Sequence, residues 1–218
     1  MKRPKTIAIY LPQYHRVKEN DEWWGEGFTE WTAVKQAESY YEGHSQPRVP
    51  LNENYYDLDD KHTLEWQAAL ARQYGIYGFC FYHYYFKNGR KILERPAENL
   101  LRWRDILLRY CFSWANMSWV RTWHNFTIRG SWASKFEQYV EGESSVLLEQ
   151  KYGEEADWIA HFNYLLPFFK DERYIKIDDK PFFVFHEISD IACITEMTSC
   201  WRTLAKKNGF SDMFFCGG

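Results

Sequence analysis

The chain has 218 residues, 45% of them hydrophobic and 26% charged, with a formal net charge of −3. That balance fits one large globular domain able to bury a core, and without a long basic run it argues against nucleic-acid binding through phosphate neutralisation. The unusual quantity is the aromatic share of 20%, made of 11 Trp, 16 Tyr and 16 Phe; stacking on bases would need a positive groove, which the sequence does not show.

The first element in chain order is Thr6–Leu11 (TIAIYL), a short β-branched run that reads as a buried strand stopped by Pro12. A polar and aromatic connection follows from Gln13 to about Lys61, punctuated by Gly25, Gly27, Gly43, Pro47 and Pro50. A connection this long inside a domain is usually functional. It contains Asp21–Trp31, DEWWGEGFTEW, where indoles offer stacking faces, carboxylates offer acceptors and glycines let the backbone turn. Rings beside a few placed polar groups suit a pocket for a polar, ring-shaped ligand, and a sugar is the obvious candidate. The alternative, an aromatic loop packed on a domain face, stays open from this window alone.

Thr63–Tyr74 has helical periodicity and stops at Gly75. Ile76–Phe86 is a near-continuous apolar run, expected for a strand covered on both faces. Ile92–Arg109 reads as a helix with Pro96 in its first turn or at a break, and Tyr110–Ala115 as a strand. Asn116–Gln150 is irregular and holds Trp119, Trp123 and Trp132. Glu154–Phe169 is a helix whose end Pro167 should disturb. A turn at Asp178–Lys180, a strand at Pro181–Phe185, a helix at Met197–Lys207 and a strand at Met213–Cys216 complete the chain.

Alternating strands and helices predict parallel strands with right-handed crossovers, about five strands and four helices in all. A (β/α)₈ barrel and an open doubly wound sheet both fit. No Gly-x-Gly-x-x-Gly turn follows a strand, so a dinucleotide site is unsupported and no cofactor is expected. Polar and aromatic residues gather after strand C-termini, at Gln13–His15, His83–Tyr85, Asn116, Trp119, His186 and Glu187, where both folds place their sites, the barrel most consistently.

The five cysteines (Cys80, Cys111, Cys193, Cys200 and Cys216) form no CxxC pair, which points to a reducing compartment rather than a disulfide framework. The apolar run near the start is too short for a secretory signal, and no window approaches the ~20 apolar residues of a membrane span. The expected location is cytoplasmic. The histidines show no metal-ligand spacing, so no metal site is expected, and no Gly-x-Ser-x-Gly elbow is present.

Five stretches, YLPQYH, WWGEGFTEW, GFCFYHYYF, WANMSW and FFKDERYIKIDDKPFFVF, together resemble the WbsX-like family, proteins of polysaccharide and lipopolysaccharide gene clusters also described as glycoside hydrolase family 99-like. The resemblance runs from about Thr6 to Cys216 and implies a (β/α)₈ barrel working on glycans, either as a glycosyltransferase or as a glycoside hydrolase. It also implies further strands carrying a late motif similar to Asn-Glu-Trp-x-Glu-Gly and the catalytic glutamates of the related hydrolases. Eight strands do not fit in this length with such long loops. The expectation is therefore a single, incomplete barrel domain over residues 1–218, truncated after about five strands.

Glycosidic chemistry usually needs two carboxyl groups, ~5–5.5 Å apart for retention or ~6.5–9.5 Å for inversion. Candidates near strand ends are Glu30, Glu26, Asp57 and Glu187. Glu30 lies between Thr29 and Trp31, where an indole wall could desolvate it and raise its pKa toward the range of a general acid. His83 is the second catalytic candidate, placed by alternation with Phe79 and Phe81 and expected at the barrel mouth. Substrate contacts are expected from Tyr10, Gln13, His15, Trp24, Trp31, Tyr82, Tyr84, Trp114, Asn116, Trp119 and Glu187, with Trp23 a further stacking ring. The expected partner is an oligosaccharide or polysaccharide, with a nucleotide sugar as a donor. An open sheet edge would favour self-association. The competing reading is an inactive carbohydrate-binding remnant.

Overall fold

The structure, a computed structural model, describes residues 4–120 and 146–217. Its frame is a parallel sheet of strands β1 (Thr6–Tyr10), β2 (Ile76–Tyr85), β4 (Tyr110–Trp114), β8 (Lys180–Phe185) and β9 (Phe214–Gly217), each hydrogen-bonded to the next in that order. Short strands flank it: β3 (Lys91–Ile92) runs antiparallel to β2, β7 (Lys176–Ile177) runs antiparallel to β8, and β5 (Trp119–Val120) pairs with β6 (Val146–Leu148). The helices are α1 (Lys18–Trp24), α2 (Glu30–Lys35), α3 (Lys61–Gln73), α4 (Arg95–Arg102), α5 (Glu155–Lys170) and α6 (Ile194–Lys207).

Helices α3, α5 and α6 sit on one face of the sheet. Tyr10 of β1 donates to Gln67 of α3 at 2.6 Å. Phe112 of β4 meets Phe168 of α5 edge-on at 5.1 Å, and Phe183 of β8 meets Trp201 of α6 at 5.1 Å. Parallel strands in sequential spatial order with crossovers on one side describe an arc of a (β/α) barrel; a doubly wound sheet would reverse its strand order and cover both faces. Among the described residues the arc is not closed.

Local chemistry explains the elements. Apolar β-branched and aromatic residues fill β2, which is buried along most of its length. Gly78 lets β4's approach come close, because a Cβ there would lie 2.5 Å from the Arg109 carbonyl oxygen. Helix α3 is capped by Asp60, whose side chain accepts from the His62 N–H, and ends at Gly75 with φ +73. The predicted turn before β8 is present: Asp178 and Asp179 both take positive φ, a pairing that suits a tight hairpin.

Three differences from the sequence reading have physical causes. The helix predicted over Ile92–Arg109 is only α4, preceded by β3. The Arg173 guanidinium, paired with Asp171 at 2.6 Å, takes the carbonyls of Leu100, Trp103 and Ile106 and so turns the chain out of the helix. Pro167 does not end α5, which runs on to Lys170 because Phe168 and Phe169 are anchored in the core. The long first connection holds α1 and α2, which are too short for periodicity to reveal; α2 is set by a capping box between Thr29 and Thr32.

Candidate active site

Above the C-terminal ends of the strands lies a small second cluster of Tyr84, Phe86, Ile92, Leu93, Ala115 and Leu148, against which Trp23, Tyr82 and Trp119 pack. Trp119 meets Tyr84 edge-on at 5.3 Å and lies tilted against Trp23 at 5.6 Å, and Tyr82 meets His186 edge-on at 5.4 Å. Gln13 donates to the Tyr84 hydroxyl at 3.4 Å. Gln13, Tyr82, Tyr84 and Trp119 thus meet at the strand tips.

Beside β1, the first connection folds into a cavity of about 400 Å³, lined by Tyr14, Trp31, Tyr55, Tyr56 and Asp57 with Gly27, Thr29, Thr32, Lys35 and Gln36. Its wall is a nest of rings. Trp31 lies 4.4 Å from Tyr14 and meets Tyr55 and Tyr56 edge-on at 5.3 and 5.1 Å. The Trp31 indole N–H donates to the Tyr56 carbonyl at 2.7 Å, and the Leu58 N–H donates to the Tyr14 carbonyl at 3.0 Å, so the wall is pinned at both ends. Burial raises the Tyr56 phenol to about 12, which keeps it a neutral hydrogen-bonding group.

Glu30 opens α2 between these two regions. Its Oε2 is buried without a hydrogen-bond partner, and burial pushes its pKa up to about 7. The expected desolvation of this carboxyl is therefore found. Its charge reaches both sides: burial first, and then Glu30, raise the Tyr14 phenol, and Glu30 also acts on the buried Tyr84 phenol. A carboxyl that is half protonated near neutrality and has a free oxygen can give up a proton to a bound ligand.

Other residues singled out from the sequence are placed elsewhere. His83 does share a face with Phe79 and Phe81, but that face meets the helices. It is buried, its Nε2 lies 2.8 Å from Nε2 of His161 on α5, and its ring stacks on Tyr164. Tyr10 points to α3 on the same side, and Trp114 is core, donating its indole N–H to the Tyr85 carbonyl at 3.0 Å. These three correct the expectation of a mouth or pocket-wall position: alternation separates the two faces of a strand but does not say which one the helices cover.

Asn116 is fully buried and clamps β4's end to β8's. Its Nδ2 donates to the Glu187 carbonyl at 2.6 Å and its Oδ1 accepts from the Glu187 N–H at 3.0 Å. With both amide groups occupied it serves as a strand-end tie and not as the sugar contact expected of it. The Glu187 carboxylate accepts from Ser189 at 2.6 Å, and Trp24 packs near Phe28 at 6.1 Å. His15 is fully buried with both ring nitrogens unpartnered, and burial lowers its pKa to about 4, which keeps it neutral. Glu30, His83 and Asn116 do not share a hollow, and none of them lines the cavity beside β1. Trp123 and Trp132 lie outside the described residues. Tyr14, Tyr55 and Tyr56 were missed, although the adjacent Tyr55–Tyr56–Asp57 carries the same ring-plus-acid signature as the tryptophan segment.

Among the described residues no group of three or more His, Cys, Asp or Glu side chains is arranged to hold a metal ion, and no helix is long and apolar enough to cross a membrane. A one-sided β/α arc carrying an aromatic cavity and a shielded carboxyl beside its first strand defines a barrel-type α/β protein. The family model described as Glycosyltransferase WbsX matches residues 6–218, and the chain belongs to that family. It is 32% identical over 207 residues to the uncharacterized protein WxcX of two strains of Xanthomonas campestris pv. campestris, a match covering 95% of this chain and 27% of the relative. The chain thus spans about a quarter of the length of those curated relatives. A solved structure, the GH99 endo-alpha-mannosidase from Bacteroides thetaiotaomicron, is similar at 12% identity and a TM-score of 0.49 over 97% of this chain and 54% of that one.

Proposed function

We propose that this chain is the sugar-binding and proton-donating part of a glycan-active enzyme of surface-polysaccharide assembly, breaking or transferring a glycosidic bond. The observation that carries the reading is Glu30: a carboxyl with a raised pKa and an unpartnered oxygen beside an aromatic cavity. Ring faces of Trp31 and the three tyrosines bind the apolar faces of a sugar, and Asp57 accepts from its hydroxyls. Protonated Glu30 gives its proton to the departing glycosidic oxygen as the C–O bond breaks, while Asp57 takes the proton of the water or acceptor hydroxyl whose oxygen bonds to the anomeric carbon. The family description supports glycosyl transfer, in which the donor is a nucleotide sugar and the acceptor an oligosaccharide. The unpaired outer edges of β1 and β9 among the described residues support self-association.

The test is turnover of oligosaccharides, with and without nucleotide sugars, by the protein and by Glu30→Gln. Removing a general acid lowers the rate by about 10²–10⁴-fold. Turnover that survives the substitution overturns the assignment of Glu30. Saccharide binding without turnover by either protein supports a carbohydrate-binding role instead.

A further inference from the structure

Two charged side chains line the cavity, Asp57 and Lys35, and one oxygen of the aspartate, Oδ1, accepts the Asp59 N–H at 2.9 Å. Lys35 stands at the end of α2 and is exposed. Its Nζ lies 4.0 Å from the centre of the Tyr55 ring, so an aromatic face rather than a carboxylate holds it, and among the described residues no ion pair includes it. Lys18 and Lys61, by contrast, each pair with an acid one helical turn on, Glu22 and Glu65. The nearest acid in sequence, Glu38, lies three residues on, past the end of α2, and among the described residues Lys35 forms no ion pair with it.

We infer that the cavity takes an anionic saccharide, a sugar bearing a carboxylate or phosphate group, and that Lys35 recognises the charge while Trp31 and the tyrosines hold the ring. This deepens the proposed function and rests on its assignment of the cavity to a sugar. The geometry suits the task. A lysine lying on a ring keeps its stem packed and its three donors turned outward. An anion brought to it exchanges a weak cation–π contact for a charge-assisted hydrogen bond, and the ring stays free to stack. Gln36, Thr29 and Thr32 border the same space and add neutral polar contacts.

Calorimetric titration tests this with three oligosaccharides of equal length: a neutral mannoside, a uronate-containing oligomer and a phosphorylated one. Binding of at least one anionic oligomer about tenfold tighter than the neutral one, weakening as salt rises, is the expected result. Lys35→Gln abolishes that preference, whereas Lys35→Arg keeps it. A preference for uronate over phosphate, or the reverse, identifies the source of the charge. Equal affinity for all three, or a preference that survives Lys35→Gln, overturns the inference while leaving the glycan reading intact. Absence of binding by any of them overturns both.

Discussion

Two of the shielded ionisable sites among the described residues are built to opposite rules. On the helix side of the sheet, His83 and His161 face each other at 2.8 Å, enclosed by Tyr85, Tyr164, Trp114 and Trp201, with Tyr85 stacked on His161 at 3.9 Å. Each imidazole gives the other a hydrogen-bond partner, and burial pushes His83 down to about 3 and His161 well below its ordinary value. Beside the cavity, Glu30 is shielded too, but one oxygen has no partner and its pKa rises to about 7. A satisfied buried pair stabilises and is inert; an unsatisfied buried carboxyl costs stability and is available for chemistry. Desolvation disfavours the charged form at both sites, and the hydrogen-bond inventory tells them apart.

The contrast breaks first at the packing that encloses the histidines. Trp201 is fully buried against Phe183, Phe185 and His161. Trp201→Ala lowers unfolding free energy by about 3–5 kcal/mol in chemical denaturation. A loss below about 1 kcal/mol would show that the helix-side core is not the stable half of the molecule.

Acid sharpens the comparison. Both histidines have folded pKa values below their unfolded ones, so their contribution is fully present above about pH 6.5 and is lost as pH falls from there toward 3. Each adds a slope of up to about 1.4 kcal/mol per pH unit in that window. Replacing the pair with two apolar residues of similar size flattens the slope, and denaturation series at pH 4, 5 and 7 read it.

Glu30 carries the opposite sign and a smaller effect. Its folded pKa lies above the unfolded one, so its contribution is present below about pH 4.5 and is lost as pH rises through 7. Glu30→Gln therefore raises the melting temperature at pH 8 and leaves it unchanged at pH 4. A gain in stability accompanied by loss of turnover separates a functional carboxyl from a structural one.

The frame was legible because its signals are local. Apolar runs at Ile76–Phe86 and Tyr110–Ala115 and the helical spacing after Thr63 are set by periodicity, and their alternation fixes parallel crossovers. The site was only half legible. Glu30 and Trp31 were visible as an acid beside indoles, and desolvation followed from that neighbourhood. Tyr10, His83 and Trp114 sit at the right height on their strands and face the wrong way, because which side of a strand the helices cover is decided by the handedness of crossovers distant in sequence. Asn116 was misread because its two backbone partners belong to Glu187, seventy-one positions further on. The cavity joins Tyr14 to Tyr55 and Tyr56 across a connection whose helices are too short to announce themselves.

The central claim is that a proton resides on a shielded Glu30 next to a sugar-binding hollow. Carbon-13 NMR titration of the Glu30 carboxyl, run on the free protein and again with saturating oligosaccharide, measures it directly. The account predicts a midpoint near 7 that moves when sugar is bound. A midpoint at the ordinary glutamate value of about 4.3, unmoved by sugar, contradicts it.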